Sequence, residues 1–315
     1  MRTRELELPD LAGRRVLVTG ASDGIGFEIA RRVSAAGASL ILPFRDPGRG
    51  AAAMDRLRRD NPDTEITTIA LDLASQTSVR AAAAELRRRD DDIHVFVANA
   101  GIMATPQRVL TEDGFELQMA TNHLGHAALI AGVMPILSRS GARITSMSSA
   151  AAKSGRPTAA NLQSDPYSPV RAYMDSKLAQ MVFALELERR SARNGWGITS
   201  NVAHPGTTAT NLYSAGPSAG TSRRSPIAAV VHALARARIL VQMPEAGALP
   251  ALLASVGGGL GGRFYGPDGP GHFSGSAAEQ RIYPAAADAD LARRVWDYTR
   301  ELTAVDWPPS TGSHV

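Results

Sequence analysis

The chain has 315 residues, 44% of them hydrophobic and 20% charged, with a formal charge of +4. It has no cysteine, which excludes disulfides, thiolate nucleophiles, Fe–S clusters and zinc sites built on Cys. No uninterrupted apolar run approaches membrane-spanning length and no signal-peptide pattern opens the chain, so the sequence predicts a cytoplasmic protein without a membrane span. Arg56, Arg58, Arg59 and Arg87 to Arg89 are mixed with acids and lack interleaved aromatics, which points to solvated helix faces and away from nucleic-acid binding.

From Arg15 the chain reads RVLVTG, a short β-branched run ending in glycine, then GIGFEIARRVSAAG, whose apolar residues recur at helical spacing up to Gly37. A second strand, SLILPF, precedes a polar helix that ends near Asn61-Pro62. The third strand covers Glu65 to Leu73. The alternation continues with a helix over Ser75 to Arg89, the strand IHVFVANAG, one long helix over Asp113 to Ser138, the strand ARITSMSS, a helix over Ala172 to Arg193 and the strand GITSNVAHPG. Strands separated by helices predict an α/β fold: a single doubly wound Rossmann-type domain with a parallel sheet and helices on both faces.

After Pro205 the pattern loosens. Residues 207–226 are rich in Ser, Thr, Gly and Pro, which predicts a loop covering the substrate, with an ordinary surface loop as the alternative. The Gly-rich run SVGGGLGGRFYGPDG holds a last strand around Gly262 to Tyr265, and residues 309–315 are expected to be a flexible tail.

Glycines at 20, 24 and 26 fall in the first strand-to-helix crossover, in the segment TGASDGIG. The turn there is sharp, a pyrophosphate needs close backbone approach, and the helix N-terminus presents unpaired N–H groups to phosphates. The second strand ends Pro43-Phe44-Arg45, with Phe44 where a carboxylate would bind the ribose hydroxyls and repel a 2′-phosphate. A guanidinium at Arg45 can hold that phosphate bidentately, so NADP(H) is favoured over NAD(H). Asp46 could instead pair with Arg45 as a surface ion pair, and Asp23 places a negative charge in the glycine turn.

Tyr173 and Lys177 stand four residues apart on a helix and so share a face. A free phenol has a pKa near 10, and a neighbouring ammonium brings it toward the working range of an acid–base catalyst. By itself this spacing also describes a solvated helix pair. The preceding strand ends Ser146-Met147-Ser148-Ser149, at the carboxyl edge where ligands bind in open α/β sheets, and a hydroxyl there can meet a carbonyl and its developing alkoxide.

With Ala98-Asn99-Ala100-Gly101, Asn122 in NHLGH, YMDSK and His204-Pro205-Gly206, these segments follow the order of the short-chain dehydrogenase/reductase family, which the chain resembles over about Gly13 to Thr210. The resemblance implies that Tyr173 is the general acid in reduction and the base in oxidation, and that Lys177 binds the nicotinamide ribose and lowers the phenol's pKa. Ser149 would orient the carbonyl oxygen, and Asn122 would hold a water relaying protons to Lys177. Ser148 reads as a strand residue, and Asn99 as a lock on the fourth strand. Gly20, Ser22, Asp23, Gly24, Ile25, Gly26, Arg45, Asp72, Leu73, Asn99, Ala100, Gly101, Tyr173, Lys177, Pro205, Gly206, Thr208 and Thr210 would line the cofactor. Among these, Asp72 would meet the adenine, or else cap the helix after it, and Thr208 and Thr210 would hold the carboxamide.

Tyr173 follows Ser149 by 24 positions, a long spacing for the family; this insert, SKLAQMVFALEL and the carboxyl-terminal GGRFYGPDGPGHFSG are similar to the retinol-dehydrogenase-like branch. That resemblance implies a bulky apolar alcohol, aldehyde or ketone as substrate, with ketone or aldehyde reduction in specialised metabolism as one setting. Tyr167 is a rival phenol, but Arg171 and not a lysine stands four residues on. His123, His126 and His204 form no recognisable metal pair and read as structural, so no metal is expected. The alternatives are a non-catalytic NADP(H)-binding sensor or assembly protein on the same scaffold, and an epimerase or dehydratase, for which the chain lacks a nucleotide-sugar domain. Homodimers or homotetramers through the helices at Asp113 to Ser138 and Ala172 to Arg193 are an open expectation.

Overall fold

The computed structural model describes residues 6–157, 163–208 and 242–309. In chain order, β1 (Arg15–Val18), α1 (Gly24–Ala35), β2 (Ser39–Phe44), α2 (Pro47–Asp60), β3 (Ile66–Ala70), α3 (Gln76–Arg89) and β4 (Val95–Ala98) make the first half. Then come α4 (Leu117–Met119), a π-helical turn over Ala120–Leu124, α5 (Gly125–Gly132), α6 (Met134–Arg139), β5 (Arg143–Met147), α7 (Pro169–Asn194) and β6 (Thr199–Ala203). The remainder contributes α8 (Pro244–Gly247), α9 (Leu249–Val256), β7 (Phe264–Pro267), β8 (Ala277–Gln280), α10 (Pro284–Ala287) and α11 (Ala289–Thr303).

The eight strands form one sheet in the order β3-β2-β1-β4-β5-β6-β7-β8, parallel except for β8, which pairs antiparallel with β7. Successive side chains of each strand point to opposite faces, and the core divides accordingly. Leu17, Ile41, Phe96 and Ile144 face α3, α5 and α7, whereas Val16, Val18, Leu40, Leu42 and Val97 face α1 and α9. Both faces are covered, as a parallel sheet requires.

Two expectations are corrected. The single helix over Asp113 to Ser138 is three helices and a π turn. Glu116, not Asp113, caps its start by accepting from Met119 N at 2.8 Å, while Asp113 accepts from Gln76 N at 2.8 Å and so serves the start of α3. Further on, Val133 leaves helical geometry (φ −110, ψ 10) just before Pro135, which has no N–H to continue the ladder. The second correction is β8: the strand around Gly262 to Tyr265, expected to be the last, is followed by one more, which Gln280 Nε2 anchors by donating to the carbonyls of Gly266 and Pro267.

Helix α7 starts at Ser168, whose side chain accepts from Arg171 N, and stops at Gly195 in left-handed geometry (φ 68). Its middle is clamped by aromatics: Phe183 stacks on Trp296 of α11 with centroids 5.2 Å apart, and Trp296, Trp196 and Trp307 pack against one another. Of the expected tail, Pro309 is held, its carbonyl accepting from Trp196 Nε1 at 3.3 Å, and the rest lies outside the described residues. Truncating the centre of this cluster, Trp296→Ala, should cost about 3–5 kcal/mol of stability, read as a lower urea midpoint; an unchanged midpoint would show that the clamp does not hold α7.

Candidate active site

The carboxyl ends of β1, β2, β4 and β5 open into one cleft of about 320 Å³ that extends to α7, within the range of small-molecule sites. It gathers Gly20, Ser22, Asp23, Gly24, Ile25, Gly26, Arg45, Asp72, Leu73, Asn99, Ala100, Gly101, Tyr173, Lys177 and Pro205. Asn122, Ser149, Gly206 and Thr208 are not on its surface. Thr210, and all of the loop over 207–226 except Thr207 and Thr208, lie outside the described residues.

The glycine turn is forced by close approach. A Cβ on Gly20 (φ +70) would sit 2.8 Å from Ala100 Cα, and one on Gly26 only 2.4 Å from the Gly20 carbonyl and 2.5 Å from Asn99 Nδ2. Asn99 locks the turn by donating to Thr19 O at 2.9 Å, and Thr19 Oγ1 accepts from the N–H groups of Asn99 (2.9 Å) and Ala100 (3.0 Å). With both lone pairs taken, that hydroxyl donates, and His126 Nε2 lies 2.9 Å away. His126 Nδ1 then donates to Asn122 O at 3.2 Å, which ties the glycine turn to the π segment.

The two cautions about charge resolve locally. Asp23 accepts from Gly24 N at 2.8 Å as the cap of α1 and lies 3.8 Å from Arg56 Nη1. Asp46 caps α2, accepting from Gly48 N and Arg49 N, and does not pair with Arg45. Arg45 and Arg49 both border the cleft, and neither forms an ion pair with a described residue. Arg49 was missed in the sequence; its signal is the four-residue step from Arg45 into α2. Ser75 caps α3 by accepting from Ser78 N at 3.2 Å, and Asp72 accepts from Ala74 N at 2.9 Å.

Lys177 is 4% exposed and donates to Met147 O at 2.8 Å and to Gln180 Oε1 at 3.2 Å; burial lowers its pKa to about 7. Ser148 Oγ straps β5 to α7 by donating to Lys177 O at 2.8 Å, so it is more than a strand residue. Ser149 caps a short 3₁₀ turn, accepting from Ala151 N at 3.2 Å, and gives its hydroxyl proton to no described residue. Asn122 Oδ1 accepts from Ile102 N at 2.8 Å while its Nδ2 donates to Ile102 O and Ser176 Oγ, so its side chain pins the wall of the cleft to α7. Thr208 Oγ1 donates to Pro205 O at 2.9 Å, and Gly206 N donates to His204 Nδ1 at 3.3 Å.

The rival phenol is engaged elsewhere: Tyr167 OH donates to Thr105 O at 2.7 Å, accepts from Gln118 Nε2 at 3.1 Å, and burial raises its pKa. The donor set fits a dinucleotide, with the backbone of the glycine turn and the N-terminus of α1 at one end of the cleft, the Arg45 and Arg49 guanidiniums past the end of β2, and Tyr173 with Lys177 at the other end.

Residues 14–218 match the short chain dehydrogenase family. The chain belongs to it. Mouse polyprenol dehydrogenase is 34% identical over 97% of this chain and 88% of its own length, and human retinol dehydrogenase 13 is 33% identical over 95% and 87%. These relatives set the chain in the retinol-dehydrogenase-like branch. Among solved structures, an uncharacterised protein from Mycobacterium paratuberculosis superposes with a TM-score of 0.76 at 31% identity, covering 96% of this chain and 97% of that one. The Pseudomonas aeruginosa RhlG/NADP active-site complex gives 0.63 at 27% identity, covering 84% and 98%. As a short-chain dehydrogenase the chain is an oxidoreductase, exchanging a hydride between a nicotinamide cofactor and a carbonyl or alcohol carbon.

The buried histidines beside the site make a testable contribution to stability. Burial lowers the pKa of His123, whose Nε2 meets Thr299 Oγ1 at 2.8 Å, from 6.5 to about 3. Between those values the unfolded chain binds the extra proton, so this stability is complete above pH 6.5 and is lost as pH falls toward 3, by about 1.4 kcal/mol per pH unit. In urea unfolding at pH 7.5 and 5.0, His123→Gln should lose less stability on acidification than the parent. Parallel losses would rule out a neutral His123.

Proposed function

We propose that the protein is an NADP(H)-dependent reductase of bulky apolar ketones or aldehydes, with Tyr173 as the acid–base group. One observation carries this reading: a single cleft holds Tyr173 and Lys177 at one end and, past the end of β2, Arg45 and Arg49, which have no acid partner among the described residues. Phe44 stands where a ribose-binding carboxylate would, the neighbouring Asp46 carboxylate is engaged by the N-terminus of α2, and two guanidiniums can share a 2′-phosphate. The names of the relatives, a polyprenol and a retinol dehydrogenase, support an apolar isoprenoid-like substrate.

When bound, NADPH supplies the hydride for the carbonyl carbon. The Ser149 hydroxyl, whose proton has no other acceptor among the described residues, donates to the carbonyl oxygen and orients it. Tyr173 gives its phenolic proton to that oxygen as negative charge develops, and the Lys177 ammonium stabilises the phenolate left behind. The proton is restored to Tyr173 from solvent along the Lys177 side of the cleft. In the alcohol-to-carbonyl direction the same groups act in reverse, with the phenolate as base. Residence in the cytoplasm and self-association into a homodimer or homotetramer remain part of this reading.

NADPH oxidation against a panel of apolar aldehydes and ketones tests it. Tyr173→Phe should lower kcat about 10²–10⁴-fold while NADPH still binds; full activity would remove Tyr173 from the chemistry. Tight NADPH binding with no turnover in either direction would favour the sensor reading.

Cofactor choice has its own test. Replacing Arg45 and Arg49 together with Ala should weaken NADPH roughly 10–100-fold, from about 1.5–3 kcal/mol for charge-assisted hydrogen bonds, and leave NADH unchanged. Equal losses for both cofactors would place the 2′-phosphate elsewhere.

A further inference from the structure

Lys177 meets no carboxylate among the described residues, although it is buried and its pKa is lowered to about 7. Two neutral oxygens hold its ammonium instead: the Met147 carbonyl at the end of β5 (2.8 Å) and the amide oxygen of Gln180, one turn further along α7 (3.2 Å). Gln180 is 1% exposed, and its own Nε2 donates to Ala98 O, at the end of β4, at 3.4 Å. An ammonium has three N–H groups. With two of them committed inward, one is left for the cleft.

We infer that Gln180 is a positioning residue for the reaction, holding the Lys177 ammonium between the ends of β4 and β5 so that its remaining N–H faces the nicotinamide ribose and Tyr173. The inference rests on the roles given above to Tyr173 and Lys177. Geometry makes the amide suited to the task. Its oxygen accepts from the ammonium while its nitrogen is spent on a strand carbonyl, so the side chain cannot flip without losing both bonds. Space is tight as well: a Cβ on Gly101 would stand 3.3 Å from Nζ. The titratable groups on this side of the cleft are Tyr173, from α7 itself, and His126 of α5, whose ring burial keeps neutral and whose pKa the Lys177 charge lowers further. At their carboxyl ends β4 and β5 present backbone carbonyls and no ionisable side chain. Carbonyl and amide dipoles are therefore what favour the charged form against desolvation.

Gln180→Leu keeps the bulk and removes the acceptor, and Gln180→Glu replaces the amide with a carboxylate. In the cofactor-free protein, ¹⁵N-detected titration of the Lys177 Nζ should show a lower midpoint in Gln180→Leu and a higher one in Gln180→Glu. In NADPH-driven reduction, Gln180→Leu should lower kcat at least tenfold and move the alkaline limb of the pH profile down. Gln180→Glu should move that limb up. A merely structural amide would lower the melting temperature of both variants and leave the Lys177 midpoint and the alkaline limb in place, which would overturn the proposal. If Gln180→Leu does not fold, the direction of shift in Gln180→Glu alone decides, with an unmoved midpoint counting against. Tyr173→Phe in the same assay separates the two claims. Full activity there overturns the acid–base reading, whereas lost activity there with unmoved Gln180 variants overturns only the role of Gln180.

Discussion

The cleft depends on how the ends of β1 and β4 are joined. These strands are neighbours at the point where the winding reverses, β2 and β3 building outward on one side and β5, β6 and β7 on the other. A crevice opens at such a point because the crossover chains leave in opposite directions. Its shape is set by the Thr19 hydroxyl, which accepts from two consecutive N–H groups of the Asn99-Ala100 turn, and by Asn99, which returns a bond to Thr19 O. The same hydroxyl meets His126, and His126 meets Asn122 O, so one buried chain of hydrogen bonds runs from the glycine turn to the π segment. Without it, the wall formed by the glycine turn and the wall that carries Tyr173 and Lys177 would have no fixed spacing.

The histidines buried around the site are polar without being charged. Burial lowers the pKa of His123 and His126 to about 3 and that of His204 to about 4, so all three rings are neutral and act through hydrogen bonds and packing. Lys177 is held by oxygens that carry no charge of their own. A carboxylate partner would stabilise the ammonium more strongly but would also repel a phenolate nearby. Neutral acceptors leave the field of the ammonium directed at its neighbour. Arg45 and Arg49 do the converse at the other end of the cleft: they stay exposed, keep their hydration, and are not spent on Asp46, whose carboxylate is taken by the N-terminus of α2.

Much of this was legible in the sequence because it is contiguous. The glycine turn, the end of β2 and the Tyr173/Lys177 step each lie within a few residues, and the alternation of strands and helices sets their order along one edge. What was not legible depends on contacts distant in sequence or on a break in periodicity. Apolar spacing runs unbroken through Val133, yet Pro135 splits the helix there, and Asp113 is diverted to α3 by a neighbour 37 positions away. Gln180 repeats the phase of Lys177 on α7, but a glutamine at that step reads as ordinary core until the Ala98 carbonyl is seen beside it. Ser148 likewise looked like a strand residue because its partner, the Lys177 carbonyl, belongs to another element.

The two sides of the cleft differ in how they are built, and the difference follows from what each has to recognise. On the cofactor side the contacts are backbone and short side chains, positioned by the sheet itself. Away from it, the segment after β4 is held at a distance by side chains. Gln118 Oε1 accepts from Ala104 N, Tyr167 OH binds Thr105, Arg108 Nε donates to Gln163 O, and Gln163 Oε1 accepts from Glu116 N. Burial raises the pKa of Glu116, whose Oε1 has no hydrogen-bond partner among the described residues. This network joins the insert before α7 to the loop after β4 without drawing on Tyr173 or Lys177. Changes in its residues can therefore reshape the wall next to the insert while the glycine turn, Tyr173 and Lys177 stay where the sheet holds them. The pyrophosphate common to nicotinamide dinucleotides suits a site made of backbone, whereas substrates differ and suit a wall made of exchangeable side chains.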